Sequence, residues 1–187
     1  TSTWNSRTVS TPSTTPATLP GTAKLVKLFT LVPSIRKMFW RGRDPAKLEG
    51  IVVDNLAAQA TGEWTASAAT PGFLGADYLH DAAEGKGMKT VAFTATLPRA
   101  ADYEIRVWYP AGPNRDGNVP VTVDLPAGPR TFVIDQRGYT SDALDTYRSL
   151  GRFPLPAGAI RVTIGTAGTT GHVIADAVQF VEAPRPA

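Results

Sequence analysis

The 187-residue chain can bury one substantial core and carry an appendage, but it falls short of two ordinary domains. Its composition is 42% hydrophobic and 19% charged, and its 17 glycines and 16 prolines favour many short strands joined by turns over long helices. Without cysteine there is no disulfide, thiolate metal site or cysteine nucleophile. The net charge of +3 gathers on Lys24, Lys27, Arg36, Lys37, Arg41 and Arg43, leaving a near-neutral remainder unlike a nucleic-acid groove.

Residues 1–22 are dominated by Thr, Ser and Pro, with too few large apolar side chains to repay ordering, and read as a linker or extended arm. The polar start Thr1-Ser-Thr-Trp-Asn5 lacks the basic-then-apolar order of a secretory signal, as expected of a mature product or a fragment. In residues 23–48, Leu25, Leu28, Phe29 and Val32 recur at helical spacing with Lys24 and Lys27 off that face. Pro33 interrupts the pattern, and Ser34 can cap a second short turn carrying Ile35, Met38, Phe39 and Trp40. This short basic amphipathic helix has three possible destinations: its own domain or a partner subunit, an upstream domain, or an anionic membrane surface. No stretch is long and apolar enough to span a bilayer as a helix.

From residue 49 the period shifts to two. Strands are predicted at Ile51–Asp54, near Trp64–Ala68, and at Tyr78–Asp81, Lys89–Leu97, Asp102–Tyr109, Asn118–Leu125, Arg130–Asp135, Tyr147–Leu155, Ala159–Gly165 and His172–Val181. Turn signals such as Pro71-Gly72, Pro110-Ala-Gly-Pro113 and Pro126-Ala-Gly-Pro129 separate them, which predicts an all-β sandwich over residues 49–182 with a tail at 183–187. Alternation puts Val91, Phe93, Ala95 and Leu97 on one buried face and Tyr103, Ile105, Val107 and Tyr109 on another; Trp108 faces opposite Val107, where exposure is open to it although packing remains its ordinary role.

Several blocks in order carry a family resemblance: Ile51-Val-Val-Asp-Asn55, Thr61-Gly-Glu-Trp-Thr65, Gly75-Ala-Asp-Tyr-Leu-His-Asp81, Tyr103-Glu-Ile-Arg-Val-Trp-Tyr-Pro110, Asn114-Arg-Asp-Gly-Asn118 and Gly171-His-Val-Ile-Ala-Asp-Ala-Val178. Residues 49–182 resemble the golvesin/xanthan-lyase carbohydrate-binding-like domain. The resemblance implies a galactose-binding-like jelly roll, an accessory module in larger secreted or envelope proteins of bacteria, and no catalysis of its own. Thr170 stands where the resemblance leads one to expect Asp, and His172 where it leads one to expect an aromatic residue.

A sugar site needs aromatic faces and planar hydrogen-bonding groups. Trp64, Tyr78, His80, Trp108, Asn114, Arg115, Asp116 and Asn118 are the ligand candidates, and Tyr109, Tyr139 and Tyr147 are further aromatics; the ordinary roles are core packing for the rings and Asx-turn bonding for the loop. Asp54, Asp81 and Asp176 are candidate oxygen ligands for calcium, although no spacing reads as a calcium loop, and with only two histidines a three-histidine zinc site is excluded. His80 and adjacent Asp81 point to opposite faces of a strand, a poor dyad, and no Gly-x-Ser-x-Gly elbow or phosphate loop occurs. The expectation is therefore a noncatalytic, extracytoplasmic module that binds glycan or cell-envelope polysaccharide beside a parent catalytic domain. Its rival is a structural subunit docking through Leu25, Leu28, Phe29, Val32, Met38, Phe39 and Trp40 on a partner or membrane complex, with no sugar ligand.

Overall fold

A strand with one apolar face must bury that face against a second sheet. In residues 90–108 the alternation is strict enough to force this: Val91, Phe93, Ala95, Leu97, Tyr103, Ile105 and Val107 are each at most 3% exposed. The computed structural model describes residues 42–138 and 147–184; the arm residues Leu25 to Trp40 named above, and Tyr139, lie outside them. Its strands are β1 (Ile51–Asp54), β2 (Gln59–Thr61), β3 (Thr65–Ser67), β4 (Tyr78–His80), β5 (Thr90–Leu97), β6 (Ala101–Trp108), β7 (Val119–Leu125), β8 (Gly128–Ile134), β9 (Tyr147–Leu155), β10 (Gly158–Gly165), β11 (Ile174–Ala175) and β12 (Ala177–Glu182).

They form a jelly-roll β-sandwich of antiparallel sheets. One sheet runs β2-β5-β10-β7-β8, the other β1-β12-β6-β9, and a small sheet β11-β4-β3 lies beside them. Inward residues of the two large sheets, such as Phe93, Val121 and Val162 facing Ile105, Val178 and Phe180, join in one apolar core. The long C-terminal strand predicted from His172 to Val181 is divided at Asp176: Ile174 and Ala175 pair with His80 and Leu79, whereas Ala177 to Glu182 pair with β6. The chain thus changes sheets at a buried aspartate. β2 was not predicted, because all three of its residues are exposed and carry no apolar alternation.

Trp108 takes the packing role rather than the exposed one. It does lie on the outer face, opposite Val107, but it is only 2% exposed. The segment from Gly42 to Glu49 crosses that face. Arg43 forms a parallel bridge with Leu74 and places its guanidinium 5.4 Å from the Trp108 ring centre, and the Tyr147 ring packs with its centre 5.0 Å from that of Trp108. Gln179 completes the cover, accepting from Trp108 Nε1 at 3.0 Å and donating to the Glu49 carbonyl at 2.8 Å. Trp108 therefore anchors the leading segment and has no face free for a sugar. Trp108→Ala is expected to cost about 3–5 kcal/mol in urea unfolding; a loss below about 1 kcal/mol would mean that the strap does not depend on it.

A candidate binding site on the loops at one end of the sandwich

Five segments meet beyond the end of β6: residues 70–81, 81–89, 109–118, 135–138 and 166–174. Their irregular backbones leave polar groups that no strand partner satisfies, and burial makes each such group costly. Buried side chains supply the missing partners. Asp116, 5% exposed, accepts from the backbone N–H groups of Asn118 (2.7 Å), Thr170 (2.6 Å) and Gly171 (2.7 Å). Asp81, fully buried, accepts from Val173 N at 2.9 Å and Ala83 N at 3.0 Å and pairs with Lys86, which also donates to the Gly171 carbonyl. Gln136 acts as a length of strand: its amide donates to Ile174 O and accepts from Ile174 N, both at 2.8 Å.

The 109–118 and 166–174 loops are further joined through their backbones, His172 N donating to Asn114 O at 3.0 Å and Asp116 N to His172 O at 2.9 Å. Gly171 is required there, because a Cβ would lie 2.9 Å from the Arg115 carbonyl group. Arg115, 9% exposed, crosses to the 70–81 segment, its Nη2 donating to Thr70 Oγ1 and its Nη1 to Asn114 Oδ1, both at 2.9 Å. The Tyr78 hydroxyl donates to Thr70 Oγ1 and accepts from Ser67 Oγ, with the Arg115 guanidinium 5.9 Å from its ring centre.

The electrostatics follow from this packing. For Asp116 burial alone would raise the carboxyl, but the Gly171, Thr170 and Asn118 N–H groups outweigh it and hold its pKa below the ordinary range. The His80 imidazole is lowered by burial first and then by the neighbouring His172 and Arg115 charges. Its ring stands edge-on to that of His172, with centres 5.6 Å apart, and its Nδ1 accepts from Ala82 N. Ala82 and Ala83 both hold φ of 58°, in the left-handed region that residues with a Cβ avoid. The bonds from Ala82 N to His80 and from Ala83 N to Asp81 keep them there.

The structure brings Tyr78, His80, Asn114, Arg115 and Asp116 together, with Asn118 at the rim and exposed. Trp64 is half-buried against the core and donates from Nε1 to Thr61 O at 3.1 Å, beside a depression of about 320 Å³ lined by Gly62, Glu63, Glu84 and Met88. Tyr78 is 2% exposed, and with Trp108 also buried the rim formed by the described residues is polar rather than aromatic. Asp81, one of the candidate calcium ligands, has both oxygens engaged by Lys86 and backbone N–H groups. Thr70, Lys86, Gln136 and Thr166 were missed from sequence. Only Thr166 stood near a signal, at the end of the predicted Ala159–Gly165 strand, where its hydroxyl accepts from Gly87 N and donates to Lys89 O. A cleft of about 510 Å³ between Ala101, Asp102, Leu155 and Ala183 opens at the other end of β6 and contains none of the candidates.

The Golvesin C-terminal domain profile matches residues 51–182, in agreement with the resemblance read from the sequence blocks. The chain belongs to this family. The golvesin C-terminal domain described here is 36% identical over 146 residues to a xanthan lyase of Bacillus sp. (strain GL1), a match over 74% of this chain and 15% of the lyase. It is also similar to the solved Paenibacillus xanthan lyase, with a TM-score of 0.66 and 35% identity over 71% of this chain and 13% of the lyase chain. A Podospora anserina GH26-CBM35 β-(1,4)-mannanase shares the fold alone, at TM-score 0.51 and 22% identity, over 74% of this chain and 29% of that one. The chain therefore spans only about a seventh of the length of the lyases it matches.

Asp116→Asn should loosen both loops, since an amide cannot accept from three N–H groups as a carboxylate does. The lowered native pKa gives the sign of the pH dependence: the wild-type advantage over the variant is full above the ordinary aspartate range, near 4, and disappears as pH falls through the lower native value. Paired urea titrations from pH 7 downward check this, and parallel curves at all pH values would contradict it. Ala83→Gly should raise stability by roughly 0.5–1 kcal/mol, the relief of left-handed strain exceeding the added unfolded-chain entropy; the thermal midpoint reads it directly.

Proposed function

We propose that this domain is a noncatalytic accessory module that holds glycan or cell-envelope polysaccharide at its loop end, as part of a larger extracytoplasmic protein. The carrying observation is the rim itself: Thr70, His80, Asn114, Arg115 and His172 present hydroxyl, imidazole, amide and guanidinium groups from three segments locked to one another by buried acceptors. Sugar hydroxyls are recognised by such planar donors and acceptors when these are fixed in advance, because ordering loops on binding would consume affinity. Membership of the golvesin C-terminal domain family and similarity to a small part of two xanthan lyases support attachment to a parent enzyme.

The same geometry supports a binding role over a chemical one. Asp81 is already the partner of Lys86 and two backbone N–H groups, and the His80 Nδ1 already accepts from Ala82 N, so neither group is free to act as a base through those atoms. The part of the basic arm before residue 42 is assigned to docking on the parent protein or a neighbouring subunit.

Retention of the full chain on immobilised neutral and acidic polysaccharides tests the proposal. Asn114→Ala, at an exposed position, should weaken retention about 3–10-fold, the worth of one or two hydrogen bonds, with the fold intact. No retention on any polysaccharide, or cleavage of the polysaccharide by the isolated chain, would overturn it.

A further inference from the structure

The loop rim carries a charge that nothing in the fold answers. Arg115 is 9% exposed and, among the described residues, joins no ion pair. A guanidinium has five N–H donors. Four of them are used, all on neutral acceptors: Nε on the Pro110 carbonyl at 3.4 Å, Nη1 on Asn114 Oδ1 at 2.9 Å, and Nη2 on Thr70 Oγ1 at 2.9 Å and the Tyr78 hydroxyl at 3.5 Å. One Nη1–H is left over. The neighbouring carboxylates are committed elsewhere, Asp81 to Lys86 and Asp116 to three backbone N–H groups. Lys89, 8% exposed, likewise reaches only a carbonyl, that of Asp81 at 2.8 Å. A buried cation with no counter-ion is costly, and an anionic ligand is the partner that relieves it.

The backbone sets two histidines beside that charge. Arg115 and His172 are partners in a parallel bridge, so their side chains leave on the same side. Tyr78 and His80 are two residues apart on β4 and share a face. Two contacts join the pairs: the Arg115 guanidinium stands 5.9 Å from the Tyr78 ring centre, and the His80 and His172 ring centres are 5.6 Å apart. Tyr78 and Arg115 form the buried side of this group, while His80 and His172 are half-buried and Asn114 is exposed. Because His80 Nδ1 accepts from Ala82 N, the neutral ring carries its proton on Nε2 and is a second donor. The His172 Nδ1 is buried with no partner. The His80 imidazole, held below its ordinary pKa by burial and then by His172 and Arg115, registers the positive field.

We propose that the corner formed by Arg115, His80 and His172 receives the carboxylate of an acidic sugar, so that the glycan held at the rim is uronate-bearing. This rests on the glycan-binding reading of the same rim and names its ligand class. A carboxylate brings two acceptor oxygens, which match the remaining Arg115 N–H and the His80 Nε2–H, and it supplies the counter-ion that Asp81 and Asp116 do not. Asn114 accepts from Arg115 through Oδ1 and keeps its Nδ2 donor for a ring hydroxyl. A neutral sugar would leave the guanidinium charge unanswered.

Amide chemical-shift titration of the full chain tests this with three probes that share one ring: methyl glucuronoside, its methyl ester and methyl glucoside. Sodium acetate is the fourth arm and separates a sugar carboxylate from any small anion. The glucuronoside is expected to bind about 10-fold or more tightly than the ester, the glucoside or acetate, the worth of a charge-assisted hydrogen bond, with shifts centred on residues 80, 114–116 and 172. Arg115→Lys keeps the charge and loses the planar fork, and should bring the glucuronoside down to the level of the glucoside. His172→Gln, at a half-buried position, gives a milder second reading: a loss of about 3–10-fold for the glucuronoside with the glucoside unchanged. Equal affinity for the three sugars, an equal response to acetate, or a preference for the glucuronoside that survives in both variants would overturn the assignment. If polysaccharide retention persists in that case, the rim binds glycan without a carboxylate preference; if retention is also absent, the glycan-binding reading fails with it.

Discussion

The structure depends on buried side chains that stand in for strand partners. A jelly roll must bring its connecting loops back over the ends of two sheets, and there the backbone has left its ladder while burial still forbids unpaired N–H and C=O groups. Asp81, Asp116, Gln136 and Thr166 resolve that conflict, each bonding to a segment at least 38 residues away in the chain. Gln136 is the clearest case, since one amide completes both halves of the hydrogen-bonding pattern of Ile174. Charged acceptors are well suited to this role, because bonds to an ionised carboxylate are stronger than neutral ones and one group serves several donors.

The same devices connect fold to function. Loops pinned by buried carboxylates form a platform whose polar rim is fixed before any ligand arrives, and Arg115 links that rim to Thr70 and to the Tyr78 ring behind it. The left-handed alanines at 82 and 83 show that local backbone comfort yields to this arrangement. Within this platform Asp81 is fully engaged, by Lys86 and by the N–H groups of Ala83 and Val173.

Much of the fold was legible where burial is one-sided. In β5 and β6 every second side chain reports the core, and the family blocks lie within the matched residues 51–182. Legibility failed where local pattern and tertiary context diverge. Exposed β2 has no alternation to read; Gly128 and Pro129 look like the end of a turn but pair with Leu125 and Asp124 as the start of β8. Trp108 obeyed its predicted face yet is covered by a segment some sixty residues earlier, which no window on β6 can reveal. The loop site shows the same division: Asn114 to Asn118 announced a tight polar turn, whereas its partners Thr70, Thr170 and Gly171 come from distant stretches with no signal of their own.

The central claim is that the interlocked loop end is the ligand-binding surface. Amide chemical-shift mapping with a soluble oligosaccharide from a polysaccharide that the chain retains tests it most directly. The account predicts saturable shifts confined to residues 70–81, 110–118 and 166–174, with the outer face of the five-stranded sheet unmoved. Shifts centred on that outer face, or on the cleft beside Asp102 and Leu155, would contradict it.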